Sequence, residues 1–149
     1  MAFLKEKKQI AVLCFLTDVA LSVWSYYEVT NYDEFSKTMK TMVASPDLQL
    51  QIYQLLLQAL TFTLLLFILF HFVIYILFWK DKKYAVKYVR MYTFMAALSC
   101  LIMIFSKMYV GIIPFFIYGL SFNQVSKMTK ALAEMQTPPL STKPQLKNK

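Results

Sequence analysis

The stretch from about Ile52 to Trp79 constrains this chain more than any other. It holds no Asp, Glu, Lys or Arg, and Leu64–Phe70 inside it is an unbroken apolar block. About 20 apolar residues in a helix cross roughly 30 Å of hydrocarbon, so this run is long enough to span a bilayer and to project from it. Three further runs share its character: about Ile10–Tyr27, Val89–Ser106 and Met108–Phe122. The pattern predicts an all-α fold, an integral membrane bundle of four transmembrane helices occupying residues 1–137. Composition agrees: 58% hydrophobic and 16% charged residues lie well to the apolar side of a soluble domain.

Only Ser106-Lys107-Met108 separates the last two runs, so a three-span chain has to be weighed against a four-span one. Charge decides. With four spans, Lys5, Lys7, Lys8, Lys80, Lys82, Lys83, Lys87, Arg90, Lys127, Lys130, Lys143, Lys147 and Lys149 share one side, leaving Lys37, Lys40 and Lys107 on the other. With three spans the bias nearly vanishes and Lys107 is stranded in hydrocarbon. Cytoplasmic loops collect Lys and Arg, which favours four spans with the N- and C-termini cytoplasmic. The net charge of +8 is then topogenic. Its expected partners are the lipid bilayer and anionic lipids at the cytoplasmic face, not nucleic acid.

Asp18 interrupts the first run and no small-residue cleavage site follows it, which argues against a cleaved signal peptide. Trp24, Tyr26 and Tyr27 mark one interface, and Trp79, Tyr84 and Tyr88 the other. Beyond span one, Asn31 followed by Glu34, with Phe35, Met39, Met42 and Val43 at helical spacing, predicts an outer amphipathic helix over 32–44. Ser45-Pro46-Asp47 then reads as a helix start. After span four, Val125, Met128, Leu132 and Met135 predict a cytoplasmic amphipathic extension lying partly at the interface, before Pro138-Pro139 and a disordered basic tail over 138–149.

Asp18 carries the most information, because an ionisable residue near mid-bilayer is expensive. Cys14, Asp18, Ser22 and Ser25 fall within about 80° of helix surface, a small polar stripe that must face protein or water. It reads either as a proton or cation site or as a buried acid that fixes helix register. His71, the only histidine, lies at a similar depth, which permits a contact with Asp18. Asp47, Gln51, Gln54, Gln58 and Thr61 form a second polar stripe on helix two. It reads as a vestibule, as the seat of the amphipathic helix, or as the solvated part of a projecting helix.

Thr93/Ala97 and Ala96/Cys100 set small residues four apart, a packing pattern for membrane helices. Gly111, Pro114 and Gly119 suggest a kink or close approach in span four. Cys14 and Cys100 both fall inside spans, with no Cys-x-x-Cys, and no catalytic triad, HExxH or P-loop occurs. The chain is therefore expected to be no enzyme, to hold no metal and to need no cofactor. The expected function is helix–helix association, as an accessory subunit of a membrane complex or a homo-oligomer. The alternative is a small oligomeric channel or proton-coupled transporter built on Asp18 with His71. Lysine bias, and no cysteine placed for an outer disulfide, point to a bacterial inner membrane.

Overall fold

The computed structural model describes residues 2–39 and 45–136. Among them there is no strand. The chain runs through α1 (Ala2–Val29), α2 (Tyr32–Met39), α3 (Pro46–Trp79), α4 (Lys83–Phe105) and α5 (Ile112–Gln136), with one 3-10 turn at Tyr109–Gly111 ahead of α5. α1, α3 and α4 are long and apolar enough to cross a membrane. α5 has 25 residues against the 23 of α4, but Asn123, Gln124 and Lys127 break its apolar run.

Neighbouring long helices run antiparallel. Lys8 lies over Trp79 while Phe15 meets Phe72, which sets α1 against α3. Phe67 meets Tyr92 and Phe70 meets Tyr88, which sets α3 against α4. Phe94 meets Phe122, folding α5 back along α4, and Cys14 meets Ser121, closing the ring between α5 and α1. The result is an up-down-up-down bundle. The start of α1, the α3–α4 turn and the end of α5 therefore share one end, the basic end. The α1–α2 joint and the α4–α5 turn share the other, the far end.

Both helix–helix turns are tight and use residues other than glycine. Asp81 (φ 60°) and Lys107 (φ 64°) adopt left-handed backbone conformations. Beyond them, the Lys82 N–H donates to the Leu77 carbonyl and the Met108 N–H to the Met103 carbonyl, satisfying carbonyls that a helix end leaves unpaired. Asp81 is also held by an ion pair with the buried Lys7 of α1.

Packing is uneven along the bundle. Ile10, Ala11, Ile74, Phe78, Ala85, Val86, Val89, Val125 and Met128 are buried in the basic half, whereas Cys100 is the one core hydrophobic from the far half among the described residues. α5 continues unbroken past Phe122, as the expected extension requires, and Val125 and Met128 of its apolar stripe pack into the bundle interior; the side chains of Leu132 and Met135 lie outside the described residues. The basic N-terminal residues likewise belong to α1, which starts well before Ile10.

α2 covers residues 32–39 of the expected outer helix; 40–44 and the tail over 138–149 lie outside the described residues. Asn31 Oδ1 accepts the Glu34 N–H at 3.4 Å, a long cap. Ser45 occupies the N-cap position of α3 with Pro46 following, but its hydroxyl makes no cap bond. Tyr53 anchors α2 on α3 through ring contacts with Tyr32 and Phe35, while its hydroxyl donates to the Thr30 carbonyl at 2.8 Å.

Candidate functional site: an aspartate held by three tyrosines

The centre of the bundle is the carboxylate of Asp18, 1% exposed. Tyr75 of α3 donates its hydroxyl to Oδ2 at 2.8 Å. Tyr92 of α4 donates to Oδ1 at 2.6 Å, and Tyr118 of α5 donates to the same oxygen. One residue of α1 is thereby bonded to each of the other three long helices. An ionised carboxylate only accepts, at about four positions, and these hydroxyls fill three of them. A buried Tyr or Asp without partners in hydrocarbon is costly, so the two residue types solve each other's problem.

The α1 stripe lines up around this point. Cys14 and Ser22 are buried with Asp18, and Ser25 is half-buried. Cys14 Sγ is 3.3 Å from Ser121 Oγ, a weak interhelical bond, while the Ser22 hydroxyl turns back to the Asp18 carbonyl at 2.7 Å. Ser22 thus serves its own helix.

His71 is buried beside this knot without entering it. Its Nδ1 is 3.0 Å from the Phe67 carbonyl, an acceptor only, so that nitrogen carries the proton. Nε2 then faces the Tyr88 hydroxyl at 3.3 Å. The imidazole packs against Tyr92 with ring centroids 4.4 Å apart, and Tyr88 and Tyr92 stack with 4° between their planes. Among the described residues no hydrogen bond or ion pair joins His71 to Asp18.

On the far side of Asp18 the helices separate around a cavity of about 250 Å³. Asp18, Leu21, Ser22 and Ser25 of α1, Thr63, Leu64 and Phe67 of α3, Tyr92 of α4 and Tyr118 of α5 line it. Toward the basic end the same space is filled by Tyr75, Phe78, Val89 and Val125.

Other residues singled out in the sequence lie apart from this site. Asp47, Gln51, Gln54, Gln58 and Thr61 are all exposed, and α2 sits instead over Tyr53 and Gln49, with Ser36 Oγ 3.5 Å from Gln49 Oε1. Thr93 and Cys100 are buried, and Ala96 and Ala97 pack against the core. A Cβ on Gly111 would come 2.9 Å from the Cys100 carbonyl oxygen, so this glycine permits close approach of the chain to α4. Gly119 has open space where its Cβ would be. Pro114 lies in the first turn of α5, where its missing N–H breaks no helical bond.

Sequence reasoning missed Tyr75, Tyr92 and Tyr118. The available signal was weak: Tyr75 and Tyr92 each lie one helical turn inward of the interface markers Trp79 and Tyr88, and Tyr118 lies four residues before the end of its apolar run. Comparison with protein-family models, with curated proteins and with solved structures finds no match.

Proposed function

We propose that this chain is a non-enzymatic membrane protein that crosses the bilayer four times, with both termini cytoplasmic, and acts through helix–helix association as a complex subunit or homo-oligomer. The depth of α5 supports the fourth span. Tyr118 reaches the middle of α1, and α5 runs antiparallel to both α1 and α4. The basic end collects Lys82, Lys83, Lys87, Arg90, Lys127 and Lys130, the bias expected of a cytoplasmic face. Lys87 and Arg90 border a hollow of about 380 Å³ with Met91, Phe94 and Phe122, which supports anionic lipid contact there. The lysine bias also supports a bacterial inner membrane.

The observation that carries the association reading is the overshoot of α3. Its 34 residues extend about 16 Å farther than the 23 of α4. Leu48, Leu50, Leu55 and Leu56 are exposed on this far-end portion, beside exposed Gln51 and Gln54. We read this overshooting portion as standing clear of hydrocarbon, where exposed apolar side chains offer a surface to another protein.

The test is the mass of the particle extracted from native membranes with a styrene–maleic acid polymer. A homo-oligomer or a stoichiometric partner, lost when Leu55 and Leu56 are changed to Ser, is the expected result. A lone protomer at native abundance overturns the reading. Topology is checked separately with an impermeant maleimide, since native Cys14 and Cys100 are buried. Lys107→Cys should label from outside and Lys130→Cys only after the membrane is opened.

A further inference from the structure

We infer that the cavity above Asp18 is a binding site for a small organic ammonium ion, a role beyond association. Three hydroxyl donors solvate the carboxylate but bring no positive charge. Among the described residues no Lys, Arg or His forms an ion pair with Asp18. A buried carboxylate is stabilised most by a paired cation, and Oδ2 has accepted only one hydrogen bond. The cavity borders Asp18, but the acid itself is only 1% exposed, so a cation there sits beside Tyr92 and Tyr118 with the carboxylate directly behind them.

The lining sets the chemical class. Phe67, Tyr92 and Tyr118 make its wall aromatic, a surface type that attracts cations and tolerates alkyl groups. Leu21 and Leu64 add apolar wall. A bare metal ion prefers a shell of oxygen ligands, and here the three tyrosine hydroxyls are already turned onto Asp18. An ammonium bearing methyl or methylene groups satisfies the acid, the rings and the leucines together. Entry is from the far end, past Ser25 and Thr63, because the basic side of the acid is packed with Tyr75, Phe78, Val89 and Val125.

The experiment is isothermal titration calorimetry of the full chain in lipid nanodiscs, at ionic strength fixed with potassium chloride. Tetramethylammonium chloride, sodium chloride and tert-butanol are the probes. Tetramethylammonium should bind saturably and tert-butanol should not. Asp18→Asn should weaken tetramethylammonium binding at least tenfold. Ser25→Leu, which fills the cavity mouth and leaves the carboxylate with its three tyrosines, should do the same and guards against a folding defect in Asp18→Asn. No saturable tetramethylammonium binding to the wild type overturns the inference. So does undiminished affinity in either folded variant, or sodium saturating the site while tetramethylammonium is excluded.

Discussion

Tyr92 stands between Asp18 and His71. Its hydroxyl is 2.6 Å from Oδ1 of the acid, and its ring centroid is 4.4 Å from that of the imidazole. The two ionisable residues are therefore linked through shared tyrosines, Tyr92 and, with ring centroids 5.9 Å from the imidazole, Tyr75, with no direct bond among the described residues. His71→Phe should keep the three tyrosine bonds to Asp18 and lower stability by about 1 kcal/mol, the scale of the lost polar contact. Tyr92→Phe should remove a bond to the acid and leave the ring packing in place. Reversible unfolding in mixed micelles measures both. A His71→Phe loss several-fold larger than that of Tyr92→Phe would place the histidine inside the knot after all.

The knot itself is open to a double-mutant cycle. Hydrogen bonds between membrane helices average about 0.6 kcal/mol and reach roughly 1.7. The Tyr118 bond, among the most buried in the bundle, should show coupling near the upper figure in an Asp18→Asn, Tyr118→Phe cycle. Coupling indistinguishable from zero would mean the hydroxyl has an equally good partner without Asp18.

The two glycines should respond with opposite sign. Gly111→Ala places a Cβ 2.9 Å from a backbone oxygen on α4, and helix backbones do not yield as side chains do, so a loss of about 1–3 kcal/mol is expected. Gly119→Ala meets open space within α5 and should gain about 0.5–1 kcal/mol from helix propensity. Thermal melts of the two variants in one detergent decide it.

Purified chain in liposomes should pass no protons above empty vesicles. Between Asp18 and the basic end the interior holds Tyr75, Phe78, Val89 and Val125, each nearly or fully buried, bulky side chains that obstruct a file of water. Flux through the wild type that vanishes in Asp18→Asn would favour the channel class over the association reading.

Much of the architecture can be read from the chain before its coordinates. Uncharged length announces α3, Lys and Arg sort the ends, and an acid inside α1 announces that its face must be covered. What escapes is helix rotation. Hydropathy gives the depth of Asp18, His71, Tyr75 and Tyr92 but not their facing, and a rotation of one residue, about 100°, exchanges neighbours completely. The tyrosines were masked by their own chemistry, since ring and hydroxyl suit an interface as well as a core. The burial of Val125 and Met128 escaped for a related reason, because an amphipathic stripe looks the same against lipid and against protein.

The distribution of the acid and its donors along the chain has a consequence for biogenesis. Asp18 reaches the membrane first, and its partners follow 57, 74 and 100 residues later. During synthesis the carboxyl must rely on water, headgroups or the insertion machinery for its hydrogen bonds. The last donor arrives only when nearly the whole bundle has been translated. On the proposed four-span reading, completion of α5 supplies the last of these donors, and a nascent chain stopped short of Tyr118 leaves the acid incompletely met.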